Sequence, residues 1–176
     1  MRHPLTISAL FVLLLTTAAC DRTPVIDVTH QDGDPLKENM INANKYIANA
    51  EDTEIENYIR RHNWSMRTLA NGERLQVYAS GSGAFVGYED SVTVRYRLEA
   101  LNGSVFYDSQ EETFVAGRHQ TVVGLDHAVM QLRRGSKARL ILPSALGYGV
   151  MGDGDRVPSR AVLIYDLEIL TKTDKQ

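Results

Sequence analysis

From Val92 to Glu99 apolar and polar residues alternate without a break, with Val92, Val94, Tyr96 and Leu98 on one side and Thr93, Arg95, Arg97 and Glu99 on the other. A period of two predicts a strand with one face buried, and Asn102-Gly103 predicts the turn that ends it. Upstream, Met66 to Leu69 and Leu75 to Tyr78 flank Ala70-Asn71-Gly72, a hairpin signal, and Ser80-Gly81-Ser82-Gly83 closes that pair. Leu125, Ala128, Val129 and Leu132 then fall on one helical face, with Gly135 as the expected C-cap. Ala138, Leu140 and Leu142 return to strand spacing until Pro143, and Leu163, Tyr165, Leu167 and Ile169 share one side of a closing strand. Antiparallel strands with one inserted helix argue for an α+β fold, a curved sheet wrapped around that helix.

The region before Trp64 has a different period. Asp34-Pro35 predicts an N-cap followed by proline at the first helical position, and Leu36, Met40, Ala43 and Ile47 recur at helical spacing up to about Asn49. Thr53 and Glu56 form a capping box for a second, shorter helix bearing Ile55, Tyr58 and Ile59, with Asn63 as a left-handed stop. These helices either pack on the domain as an extension or serve as a homodimerisation or partner-docking element. Residues 21–34 are polar and without period, as in a flexible tether. Ahead of them Arg2 and His3, the apolar run Leu5 to Leu15 and Thr17-Ala18-Ala19 precede Cys20, the single cysteine. That order resembles the signal of bacterial lipoproteins, which implies acylation of Cys20, a membrane anchor and an envelope location. The expected organisation is a signal peptide over 1–19, a tether over 20–34, a helical extension over 35–63, leading strands over 64–87 and the main domain over 88–172.

Composition narrows the function. A chain of 176 residues with 43% apolar content supports one compact domain with appendages. Residues 21–56 hold nine Asp and Glu against three Lys and Arg, so an acidic leader precedes a nearly neutral domain. Arg133, Arg134, Lys137 and Arg139 form a small basic cluster without stacking aromatics, which excludes a nucleic-acid partner from the reading. Gly147-Tyr148-Gly149-Val150-Met151-Gly152 matches GxGxxG, yet no helix follows before Pro158, so no dinucleotide is expected. The histidines are scattered, with His119 and His127 reading as too far apart for a metal, and Asp153-Gly154-Asp155 lacks the distal ligands of a calcium loop. Neither a metal nor any other cofactor is expected.

What remains is a set of aromatics at particular spacings. Tyr96, Phe106-Tyr107-Asp108-Ser109, Val122-Val123-Gly124, Ala145-Leu146-Gly147-Tyr148-Gly149, Val157-Pro158 and Leu163-Ile164-Tyr165-Asp166-Leu167 resemble the FKBP-type peptidyl-prolyl isomerases in order and spacing. The lipoprotein-like leader makes the layout similar to that of gliding-motility-associated lipoproteins of this family. The resemblance implies an FKBP-like sheet and isomerisation of X-Pro bonds in envelope or secreted clients. It further implies a pocket walled by Tyr96, Tyr107, Phe114, Tyr148 and Tyr165, with Val122, Val123, Leu125 and Val157 as floor and flank. By the same resemblance the Tyr148 hydroxyl donates to the client carbonyl, and the Tyr96 hydroxyl orients Asp108 at the rim. Two departures stand out. Leu125 replaces the tryptophan of many relatives, and residues 109–113 lack the arginine that commonly partners the aspartate. The alternative from another class is a chaperone or assembly module that holds proline-containing clients in the same cleft without turnover.

Overall fold

In the computed structural model the described residues are 35–171, so the leader, Cys20 and the tether lie outside them. Helix α1 spans Pro35–Arg61 and strands β1 and β2 span Arg67–Thr68 and Arg74–Ala79. Strands β3 and β4 span Ser91–Ala100 and Val105–Val115, helix α2 spans Val123–Val129, and β5 and β6 span Lys137–Leu142 and Leu163–Ile169. The six strands make one antiparallel sheet in the order β1-β2-β5-β6-β3-β4. The segment read as leading strands is thus part of the sheet itself, β2 lying against β5.

Alternation along the strands decides which core each residue joins. Val92, Val94, Tyr96 and Leu98 of β3, Ala138, Leu140 and Leu142 of β5, and Leu163, Tyr165, Leu167 and Ile169 of β6 pack with Leu125, Ala128 and Val129 of α2. The intervening Ile141 and Ile164 point the opposite way and pack with Ile55 and Tyr58 of α1. Around Ile141 and Ile164 both faces of β5 and β6 are therefore covered, which is why β6 carries three consecutive buried residues, Leu163, Ile164 and Tyr165.

The expectation of two N-terminal helices is corrected: α1 is one helix of 27 residues. The Thr53 hydroxyl donates to the carbonyl of Asn49, four residues back and 2.9 Å away, so it decorates a helix interior and caps nothing. Tertiary contacts carry the helix through this stretch. The guanidinium of Arg74, itself buried, meets Asp52 and, at 2.9 Å, Glu56. Asn63 does adopt the left-handed conformation expected of a helix stop, with φ 52°. The start of the apolar face of α1 stays uncovered, Leu36 being 66% and Met40 59% exposed.

Candidate active site

The aromatic residues converge. Tyr96, Phe114, Leu125, Val157 and Tyr165 are buried in the larger core, and Tyr107, Val122 and Tyr148 pack against it from its half-open edge. Tyr96 and Tyr165 meet edge to face, their centroids 5.1 Å apart at 64°, a favoured arrangement for two rings. The Tyr165 hydroxyl in turn interacts with that of Tyr148. Leu125 is completely buried beneath these rings, whereas Val123 is 38% exposed and stands outside the cluster. As the first residue of α2, Val123 has a backbone N–H without an intrahelical acceptor.

Local structure explains how Tyr148 reaches the site. After β5, Pro143 ends the strand and Ser144–Leu146 form a single 3-10 turn. Gly147 follows where a Cβ would lie 2.6 Å from Leu163 Cδ1, and Gly149 takes φ 59°, so the chain can press onto the core and reverse around Tyr148. The turn is anchored from α1. The buried carboxylate of Glu51 accepts from the Ser144 N–H at 2.9 Å and from its hydroxyl at 2.5 Å. The Ser144 carbonyl accepts from Gly149 N–H at 2.9 Å, closing the loop on which Tyr148 rides.

Asp108 is not where the resemblance puts it. Its carboxylate is 72% exposed and pairs with Arg97 at 3.1 Å, while the Tyr96 hydroxyl donates to Glu112 at 3.5 Å. Register supplies the reason. Val92 opposes Phe114 and Val94 opposes Glu112, so Glu112 shares the inward face of β4; the pairing then shifts between Tyr96 and Leu98, with Ser109 at φ 58°. Asp108 emerges from that bulge on the Arg97 side. The arginine missing from residues 109–113 is thus supplied by β3. Glu112 has no counterpart among the residues that the resemblance implies; its spacing of two from Phe114 is the signal that places it.

The opposite rim folds around Asp153. One carboxylate oxygen accepts from the N–H groups of Asp155, Arg156 and Val157 at 2.8–2.9 Å, and the other accepts from the Tyr107 hydroxyl at 2.5 Å. Burial opposes ionisation of Asp153, but these four donors outweigh it and hold the carboxyl below its ordinary value. The bond to Asp153, aided by burial, pushes the Tyr107 hydroxyl up to about 12. Burial first, and the Glu112 charge second, raises the Tyr96 and Tyr148 hydroxyls; the Tyr165 hydroxyl is raised well above its ordinary value, through burial and then its two tyrosine neighbours. All four hydroxyls therefore stay protonated and able to donate at neutral pH.

His119 and His127 are closer than their separation in the chain suggested, with ring centroids 6.3 Å apart. Each has a carboxylate 3.3 Å away, Asp126 for His119 and Glu73 for His127. Even so, no group of three metal-ligating side chains forms among the described residues.

Comparison with known proteins agrees with this geometry. The family model for FKBP-type peptidyl-prolyl cis-trans isomerases matches residues 83–170, which hold the whole aromatic cluster. The chain belongs to the FKBP-type peptidyl-prolyl isomerase family. It is 35% identical over 85 residues to FK506-binding protein 2 of Dictyostelium discoideum, covering 46% of this chain and 64% of that protein. It is 28% identical over 112 residues to a probable FKBP-type isomerase of Haemophilus influenzae, covering 62% of this chain and 46% of that one. The chain thus spans about half to two thirds of the length of these relatives. Among solved structures, a peptidyl-prolyl isomerase of Pseudomonas syringae superposes with a TM-score of 0.61 at 24% identity, covering 72% of this chain and 93% of the other. At that identity the match establishes the FKBP fold.

Because the folded-state pKa of Asp153 is depressed, its contribution to stability is complete above the unfolded carboxylate value near 3.9 and is lost as pH falls through the folded value. Replacing Asp153 with Asn should therefore destabilise the protein by about 1 kcal/mol at pH 7, the low end for a charged hydrogen bond because the loop is partly open to water. Urea titrations should show the gap between the two proteins shrinking as pH falls below about 3.9 and through the folded value; an undiminished gap in strong acid would place the effect elsewhere.

Proposed function

We propose that this protein is a peptidyl-prolyl cis-trans isomerase that turns X-Pro bonds of folding polypeptides without covalent catalysis. The reading is carried by the convergence of Tyr96, Tyr148 and Tyr165 on one apolar cluster edged by Val122, Val157 and Tyr107. Rotation about an amide faces a barrier of about 18–20 kcal/mol because resonance gives the C–N bond double-bond character. That resonance also separates charge in the planar amide, and twisting abolishes it. A pocket that replaces water with aromatic walls therefore disfavours the planar form more than the twisted one. A difference of about 4 kcal/mol yields a thousandfold acceleration. Tyr148 supplies the hydroxyl that donates to the client carbonyl, with the Val123 N–H as the weaker donor. Tyr96 and Tyr165 hold that hydroxyl in place, Phe114 and Leu125 form the floor, and Tyr107, Val122 and Val157 flank the proline ring. Asp108, held outward by Arg97, is left without a part in bond rotation.

The protein works at the cell envelope. The leader-like run before Cys20 supports this: acylation there anchors the domain, and residues 20–34 tether it. No helix among the described residues is long and apolar enough to cross a membrane. The uncovered face of α1 around Leu36 and Met40 is suited to pairing with a second copy. No feature of the cleft favours the non-catalytic module over the enzyme.

Tyr148→Phe should lower kcat/KM on a proline peptide about tenfold, the worth of one lost donor bond, and Asp108→Ala should stay within about threefold of wild type. Full activity in the first variant, or collapse in the second, contradicts the roles of these two side chains. An inactive wild type that still suppresses client aggregation would favour the module. Radioactive palmitate should label the wild type and spare Cys20→Ala; equal labelling removes the anchor. Sedimentation equilibrium should show a dimer that Met40→Glu dissociates, and a monomeric wild type ends that part of the proposal.

A further inference from the structure

Glu112 stands at the edge of the pocket without a counter-charge. Its backbone opposes Val94 on the inward face of the β3–β4 pair, two residues from the buried Phe114, so the side chain lies where the strand leaves the core for the cleft. The neighbouring acids are engaged. Glu111 holds Arg95 at 2.7 Å on the opposite face, Asp108 holds Arg97, Asp155 lies beside Arg156, and Asp153 is enclosed by four donors. Glu112 has only the Tyr96 hydroxyl at 3.5 Å and meets no cation among the described residues. A carboxylate has room for about four hydrogen bonds. None of the remaining capacity is taken up among the described residues, and the neighbouring Tyr96 and Tyr148 rings weaken dielectric screening.

We propose that Glu112 makes this site select prolines flanked by a lysine or arginine. The inference rests on the isomerase reading for its site and adds the substrate class. A proline ring seated among Tyr96, Tyr148 and Tyr165 brings the side chain of an adjoining residue to the cleft edge. An ammonium or guanidinium group there completes the hydrogen bonds of Glu112 and neutralises its charge, whereas an acidic side chain meets repulsion. Arg156 does not cancel the effect, because its guanidinium lies 5.3 Å over the Tyr107 ring on the far rim and is paired with Asp155.

The test uses short peptides containing Lys-Pro, Leu-Pro or Glu-Pro, with kcat/KM read by NMR exchange and affinity read by fluorescence polarisation of labelled versions. Wild type should favour Lys-Pro over Glu-Pro by about tenfold, equal to about 1.4 kcal/mol. Glu112→Gln should bring the ratio close to one, while Glu111→Gln, on the other face, should leave it in place. Raising salt from about 20 mM to about 500 mM should shrink the wild-type ratio, a readout independent of any variant. Turnover of all three peptides at equal rates, or a preference that persists in Glu112→Gln, overturns the inference and leaves the isomerase reading intact. Turnover of none overturns the isomerase reading, and the affinities then decide this inference by the same ratio.

Discussion

Burying tyrosine rings in a dry core obliges each hydroxyl to find a partner, since a stranded hydroxyl costs free energy comparable to a lost hydrogen bond. In this fold the obligation falls on three residues at once. Tyr165 is almost fully buried, its ring is held edge-on by Tyr96, and its hydroxyl is met by Tyr148. Tyr96 in turn reaches Glu112. One hydroxyl pair and one edge-to-face ring contact thus tie the three tyrosines to one another. A site that acts through shape and low dielectric depends on such preorganisation more than on any single group.

The N-terminal helix takes part in that order. Its Ile55 and Tyr58 seal the second face of the sheet against Ile141 and Ile164, and Glu51 holds the 3-10 turn at Ser144. The same helix therefore closes a core and braces the loop carrying Tyr148. Helices of this kind can look like appendages when only the family domain is considered, since the family match begins at residue 83. In this chain the sheet also extends upstream of that point through β1 and β2.

Departures from the family pattern concentrate on charge. The aspartate expected to meet Tyr96 has an arginine partner from the neighbouring strand and faces solvent, and Glu112 meets the Tyr96 hydroxyl in its place. The loop over Tyr107 is organised by the carboxylate of Asp153, not by apolar packing. The aromatic cluster keeps an apolar interior, with Phe114 and Leu125 buried in it, while charged side chains are confined to its edges.

Strand and turn positions were legible because they depend on local periodicity: the alternation from Val92 to Leu98, the glycine at position 103 with φ 85°, and the stop at Pro143 all fall where the pattern puts them. The aromatic set was singled out by the family resemblance, and the fold brings Tyr96, Phe114, Tyr148 and Tyr165 into one cluster. Three things were not legible. The continuity of α1 past Thr53 rests on Arg74 and Ser144, far away in sequence. The outward turn of Asp108 and the inward one of Glu112 rest on a shift in β3–β4 pairing, and the nearness of His119 to His127 on the docking of a loop against α2. Sequence alone determined the elements, the apolar faces and the family, since each is written in short-range order and composition. Tertiary structure decided which carboxylate meets the Tyr96 hydroxyl, because a one-residue slip between paired strands reverses every side chain beyond it and leaves no trace in the pattern of either strand.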